Sequence, residues 1–295
     1  MAFRLTTANA IDDQLAQIVA RELRKATEAV DRSGDEESIH QARKHIKKAR
    51  SVLHLLRKPL GRDYDTLNDP IRLAAHRISA VRDADALVGT LTSLRARYHD
   101  VIGPLACRKA SATLKARRRQ AYARISGRPF AGARQILVKT QRGITSRVHD
   151  AATARRMRLG VTRGYRRARR AMADAITAGA DDALFHAWRR RLKDHLYHMR
   201  LLERLDRHAA ARIRPLDQLQ DWLGDDHNLV LLRTAMLAQP ERFGDARGVA
   251  AILGCIDKRL STLRRRSVRR GRRLFARKPS SFQKEIRSAW GGGYR

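Results

Sequence analysis

The chain has 295 residues, enough to bury a large core without disulfides or metals. Its 64 Lys and Arg residues against 29 Asp and Glu give a net charge of +35 and an isoelectric point near 11.6. A charge of this size predicts a polyanionic partner. Most of the cations are arginines, whose planar guanidinium favours contact with phosphate, although a GC-rich genome would also raise the arginine content.

No segment approaches the ~18 apolar residues that a membrane-spanning helix needs. The amino terminus has no apolar region of the kind found in signal peptides, so we expect a cytoplasmic protein without membrane contact. Cys107 and Cys255 each lie in an apolar helical segment. We expect both to be buried thiols, not disulfide partners or metal ligands.

Ala-, Leu- and Arg-rich segments with a 3.6-residue period and few prolines predict an all-α protein. The first predicted helices lie near residues 8–31, 36–58, 64–98, 104–126 and 130–148. A second set follows near residues 156–178, 182–206, 209–238, 245–276 and 280–290. The short connections imply antiparallel neighbours and therefore two four-helix bundles with long antiparallel helices.

The second helix of each set carries a row of cations that begins with a histidine. In the first row, His40, Arg43, Lys44, Lys47 and His54 share one side of the helix. The second row, offset by about 146 residues, contains His186, Arg189, Arg190, Lys193, Tyr197 and Arg200. We call these two rows the cationic faces. The opposite side of each helix is apolar and predicted to face the core.

A solvated helix face usually mixes acidic and basic residues, because like charges at i,i+4 weaken the helix. The two cationic faces contain no interleaved acid, so we interpret them as a duplicated anion site. The candidate binding residues, including neighbouring cations on other helices, are Arg21, His40, Arg43, Lys44, Lys47, Lys48, Arg50, His54, Tyr165, Arg166, His186, Arg189, Arg190, Lys193, Tyr197 and Arg200. We expect a bound phosphate to raise the pKa of His40 and His186.

The repeat extends beyond the cationic faces. Pro70 matches Pro215 at an offset of 145, each predicted to open a long third helix. Arg82-Asp83 matches His227-Asn228 at the same offset, and the second copy follows the motif Leu-Gly-Asp-Asp-His. We predict two tandem halves, about 8–150 and 155–290, related by a pseudo-twofold axis.

Together, His-x-x-Arg-Lys-x-x-Lys-Lys at 40–48, His-x-x-Arg-Arg-x-x-Lys at 186–193, Arg-Asp-x-Asp at 82–85 and Leu-Gly-Asp-Asp-His at 223–227 resemble the CHAD family. The name stands for conserved histidine α-helical domain, and the resemblance covers roughly residues 8–290. It implies a single domain of two four-helix bundles around a basic central channel. It also implies binding of inorganic polyphosphate, at polyphosphate granules in the cytoplasm. Asp194 stands where the first copy has Lys48, which predicts a weaker second face.

The leading hypothesis is therefore a polyphosphate-binding protein that is not an enzyme, with no catalytic residue, metal or cofactor. A nucleic-acid-binding protein is the alternative, and weak non-specific nucleic-acid binding is compatible with the charge. Low aromatic content argues against it, since single strands are held largely by base stacking. A metal-dependent phosphohydrolase would use Asp83 and Asp85, or Asp225, Asp226 and His227. The sequence leaves the oligomeric state and the preferred polyphosphate length open.

Overall fold

The computed structural model describes residues 3–6, 10–32, 36–125, 128–179 and 181–288, which form helices joined by short turns and contain no strand. The helices are α1 (Ile11–Asp31), α2 (Glu36–Leu55), α3 (Arg57–Leu60), α4 (Asp63–Arg77), α5 (Ser79–Arg97), α6 (Pro104–Ile125), α7 (Arg128–Gln141), α8 (Ile144–Ala151), α9 (Ala154–Thr177), α10 (Asp182–Leu202), α11 (Arg207–Ala238), α12 (Ala246–Leu274) and α13 (Pro279–Ser288). A short 3₁₀ helix spans Pro240–Arg242. The all-α prediction is confirmed.

Two predicted helices are divided. The segment predicted as 64–98 breaks at Ile78, where the backbone leaves the helical region (φ −104°, ψ 8°) between α4 and α5. The segment predicted as 130–148 breaks before α8 at Gly143, which adopts a left-handed conformation with φ 74°. Neither break was predicted, since the apolar periodicity continues through both.

The prediction that Pro70 and Pro215 each open a helix is wrong. Both prolines lie inside helices, Pro70 in α4 and Pro215 in α11. α11 begins earlier because Asp206 caps it, accepting hydrogen bonds from the backbone N–H groups of His208 (2.7 Å) and Ala209 (3.2 Å). α11 then continues without a break, whereas the matching segment of the first half is divided into α4 and α5.

The apolar side chains form two main clusters. The larger core contains the apolar faces of α1, α2, α4, α7, α8, α9 and α10, with the first part of α11 and α13. The smaller core combines α5 and α6 from the first half with the end of α11 and α12 from the second half. The boundaries near 150 and 155 and the pseudo-twofold axis stay predictions. Cys107 and Cys255 are free and buried, as predicted.

No helix within the described residues is both long enough and apolar enough to cross a bilayer. The apolar side chains are instead spread along amphipathic helices that pack against one another. α10, for example, buries Trp188 and Leu192, while Arg189 and Arg190 are less buried.

α9 lies very close to the carboxyl-terminal end of α2. A Cβ atom added at Gly160 would lie 2.2 Å from the carbonyl oxygen of Leu55, so only glycine fits there. Arg163, one turn later, donates a hydrogen bond to the same carbonyl oxygen (3.4 Å). These two contacts place α9 beside α2, close to the carboxyl-terminal end of the cationic face of α2.

We expect Gly160→Ala to lower the free energy of unfolding by about 2 kcal/mol, because the added methyl group meets backbone atoms that cannot rotate away. Gly254→Ala on α12 is the matched control, since a Cβ there meets nothing within 4 Å. The control should stabilise the protein by up to about 1 kcal/mol, because alanine favours helix more than glycine. Urea denaturation of both variants measures the difference, and equal stabilities would contradict the predicted contact.

Candidate anion-binding site

The two cationic faces line one cavity of about 820 Å³. α2 and α10 provide most of its wall, and α4, α5 and α11 provide the rest. The lining residues are His40, Arg43, Lys44, Lys47, Arg50, His54, Tyr64, Asp83, Ala86, His186, Arg189, Arg190, Arg191, Lys193, Asp194, Tyr197, His227, Asn228 and Leu231. We call it the central cavity. Its lining contains eight Lys and Arg residues and only two carboxylates.

Burial of the apolar sides orients the two faces. Ile46 and Leu53 on α2, and Trp188 and Leu192 on α10, have no exposed surface. Because a helix turns 100° per residue, burying these side chains leaves the cations on the opposite sides. The core therefore directs both cationic faces toward the cavity.

Two polar contacts join α2 to α10. His198 and Ser51 are both buried, and the His198 Nε2 atom lies 3.0 Å from the Ser51 carbonyl oxygen, to which it donates. His54 Nδ1 lies 3.0 Å from the Asp194 carboxylate. Burial raises the pKa of Asp194, but the hydrogen bond and charge of His54 outweigh it and lower the pKa overall. Asp194 thus holds the two helices together, instead of only weakening the second cationic face.

The pKa of Lys193 reflects both its burial and the positive potential in the central cavity. Burial lowers its pKa to about 8, with further lowering by the charges of Arg189, Arg200 and Arg43. Arg43 belongs to α2, so the two faces repel each other across the cavity. An anion placed between them would relieve this repulsion.

The His186 and His227 rings are in contact at the α11 side of the cavity, with ring centroids 4.1 Å apart and an angle of 34° between their planes. Burial lowers the pKa of His227 to about 4, helped by the charges of His186, Arg189 and Arg190. The pKa of His186 is also lowered, first by burial and then by Arg190 and Arg189. Both shifts favour the neutral form of the imidazole rings.

Two arginines of the first face are anchored by neighbouring helices. Arg43 Nη1 donates to the Ala75 carbonyl oxygen (3.1 Å), and Arg50 Nε donates to the Asn68 side chain (2.9 Å). Guanidinium groups held in this way lose less conformational entropy when they bind an anion.

Three predicted residues do not line the cavity: Lys48 and Arg21 beside the cationic faces, and Arg200, the last residue of the second cationic face. Lys48 points toward α1, where its Nζ lies 3.7 Å from the buried Glu22 carboxylate. Arg21 lies on α1 close to the same carboxylate. Burial raises the pKa of Glu22, but His45, Lys48 and Arg21 together lower it overall. Arg200 is paired with Asp217 at 2.5 Å.

Two predicted residues lie on α9, outside the cavity. Tyr165 has no exposed surface and stacks on Phe282, with ring centroids 4.1 Å apart. Its hydroxyl donates to the Arg277 carbonyl oxygen (2.9 Å), so it is a core residue. Arg166 is exposed on the surface of α9.

The cavity also contains side chains that were not predicted as binding residues. Tyr64, Asp83 and Arg191 lie outside the two regular rows, and nothing in the cationic spacing indicated them. His227 had a signal, because it ends the Leu-Gly-Asp-Asp-His motif and matches Arg82 of the first half. The structure places its ring against His186.

The acidic motif residues near the site largely pair with cations. Asp226 lies 2.7 Å from Arg264, and Asp225 lies 3.8 Å from Arg259. Asp85 accepts a hydrogen bond from the Tyr122 hydroxyl at 3.1 Å. Asp83 alone among these four carboxylates lines the central cavity.

Fold and cavity define an all-helical protein with a cationic internal site. The family model of the CHAD domain matches residues 10–237, and the chain belongs to this family. No curated protein matches the chain.

Two solved structures share the fold. The crystal structure of the CHAD domain from the plant Ricinus communis has a TM-score of 0.62 and 18% identity, covering 100% of this chain and 97% of that one. PptA from Streptomyces chartreusis has a TM-score of 0.58 and 15% identity, covering 96% of this chain and 100% of that one.

We expect acid to weaken the contact between α2 and α10. Burial lowers the pKa of His198 to about 4, against about 6.5 for an unfolded histidine. The unfolded chain therefore binds more protons between these values, and stability falls as the pH is lowered. This one group should cost about 2 kcal/mol between pH 7 and pH 5.

Urea denaturation at pH 7 and pH 5 measures this loss. His198→Gln keeps a donor for the Ser51 carbonyl but does not titrate, so it should show a smaller difference between the two pH values. His76→Gln on α4, an exposed position whose side chain has no ion-pair partner within the described residues, is the control and should behave like the unmodified protein. An unchanged pH dependence in His198→Gln would contradict the assignment.

Proposed function

We propose that the protein binds inorganic polyphosphate in the central cavity and does not catalyse a reaction on it. The observation that carries the proposal is the convergence of both cationic faces on one cavity, with eight Lys and Arg residues and four histidines in its lining. A flexible polyanion with about one charge per phosphate and no bases suits such a surface. The CHAD family resemblance supports the same partner.

The cavity favours polyphosphate over nucleic acid because it offers little surface for stacking. Its two tyrosines, Tyr64 and Tyr197, are each only 5% exposed. Binding of single strands depends strongly on stacking of bases on accessible aromatic rings. Phosphate contacts alone would still give weak, salt-sensitive binding to nucleic acid.

The contacts made by the carboxylates also agree better with a binding function than with hydrolysis. Phosphoryl transfer commonly uses a metal ion held by carboxylates next to the phosphate. Asp194, one of the two cavity carboxylates, is engaged with His54, and Asp225 and Asp226 are paired with arginines. Asp83 is left as the single candidate ligand among the acidic motif residues. A location in the cytoplasm, at polyphosphate granules, would follow from this partner and stays a prediction.

We expect the protein to bind long-chain polyphosphate more tightly than a single-stranded oligonucleotide of equal charge at physiological salt. The double variant Arg43→Glu with Arg189→Glu should weaken polyphosphate binding by at least about 100-fold. Each substitution removes charge-assisted hydrogen bonds of about 1.5–3 kcal/mol and adds repulsion. Isothermal titration calorimetry measures both comparisons.

Arg108→Glu with Lys109→Glu is the matched control, because it changes the net charge equally at exposed positions of α6 outside the cavity. It should lose far less affinity. Circular dichroism and thermal unfolding establish that each variant is folded. Unchanged binding in the folded cavity variant would refute the proposal, and equal affinity for both polyanions would indicate a general polyanion-binding protein.

We expect polyphosphate binding to take up protons at neutral pH. Burial, and then the charges of neighbouring cations, lower the pKa of Lys193 to about 8 and that of His227 to about 4. Bound phosphate raises both pKa values, so the complex holds more protons and the affinity increases as the pH falls. Calorimetry in buffers of different ionisation enthalpy measures the uptake, which His227→Gln should reduce. Identical heats in all buffers would contradict the coupling.

A further inference from the structure

A second basic pocket lies between α3 and α9, outside the central cavity. It has a volume of about 370 Å³ and is lined by Arg57, Lys58, Gly61, Arg163 and Arg167. We call it the α3–α9 pocket. None of its four cations is in the list of candidate binding residues given above.

The lining of the α3–α9 pocket has four cations and no acid. Arg163 has a structural contact, its hydrogen bond to the Leu55 carbonyl oxygen at the end of α2. Lys58 and Arg167 have no ion-pair partner within the described residues. Burial lowers the pKa of Arg167, and the charges of Arg191 and Arg57 lower it further. The pocket therefore brings together four positive charges with no acid in its lining.

Tyr64 connects the pocket to the central cavity. Its ring lines the central cavity, and the Arg57 guanidinium of the α3–α9 pocket lies 4.6 Å from the ring centroid. The His54 ring, also in the central cavity, lies 6.0 Å from the same centroid. Arg191, which lines the central cavity, is close enough to Arg167 for its charge to lower the pKa of Arg167. Positive groups thus continue from one cavity to the other.

The turn between α3 and α4 leaves the pocket open. Gly61 adopts φ 53°, and a Cβ there would meet nothing within 4 Å. Lys58 is exposed, while Arg167 is half-buried on α9. An extended anion that leaves the central cavity past Tyr64 would therefore meet the half-buried Arg167 and the exposed Lys58.

We propose that the α3–α9 pocket is a second phosphate subsite, which holds the part of a polyphosphate chain that extends beyond the central cavity. This proposal rests on the proposed function and adds selection of chain length to it. A long chain occupies both sites, and the second contact is intramolecular once the first has formed. A short chain such as tripolyphosphate fills only the central cavity.

The test compares long-chain polyphosphate with tripolyphosphate on the folded full-length protein. Lys58→Glu with Arg167→Glu should weaken binding of the long chain at least about tenfold, since each lost charge-assisted contact is worth about 1.5–3 kcal/mol. The affinity for tripolyphosphate should change by less than about twofold. Lys58→Gln with Arg167→Gln tests the same loss without added repulsion, and Arg108→Glu with Lys109→Glu controls for net charge.

The dependence of long-chain affinity on salt gives a second readout. Removing the subsite should reduce the slope of log K against log salt for the Gln pair, because fewer phosphates are neutralised. Unchanged long-chain affinity in the folded variants would overturn the subsite, as would equal losses for both ligands. Failure of the unmodified protein to bind either ligand would instead refute the proposed function.

Discussion

Repulsion between the two cationic faces is the constraint on which the rest of the molecule depends. Arg43 on α2 and Arg189 on α10 act on the same buried Lys193, whose pKa falls to about 8. The apolar sides of both helices offset this cost by packing into the larger core. The contacts His198–Ser51 and His54–Asp194 then set the helices side by side. The free energy of core packing thus maintains a cavity whose positive charges repel one another.

The same arrangement explains the unusual states of the titratable groups. The His186 and His227 rings contact each other beside the cationic faces, and burial, followed by the charges of neighbouring cations, lowers the pKa of both. In the proposed function, anion binding, protonation and relief of repulsion would be one coupled process. The α3–α9 pocket repeats this pattern on a smaller scale, with Arg163 and Arg167 both lowered in pKa by burial and neighbouring cations.

Local patterns predicted the helices well and their junctions less well. The 3.6-residue period identified the buried sides of α2 and α10, including Ile46 and Trp188, because side-chain direction on a helix depends only on spacing. The break at Ile78 and the positions of Pro70 and Pro215 inside their helices were missed. Packing and capping decide such positions, and a period cannot report them.

The sequence by itself determined the all-α class, the paired cationic faces and the membership in the CHAD family. These depend on composition, helical spacing and short motifs. Only the tertiary structure decided which cations share a cavity: it placed Tyr165 in the core, turned Lys48 toward Glu22 and added Tyr64, Arg191 and His227. The physical reason is that a helical pattern specifies the direction of a side chain on its own helix. The neighbour that it meets depends on how all the helices pack together.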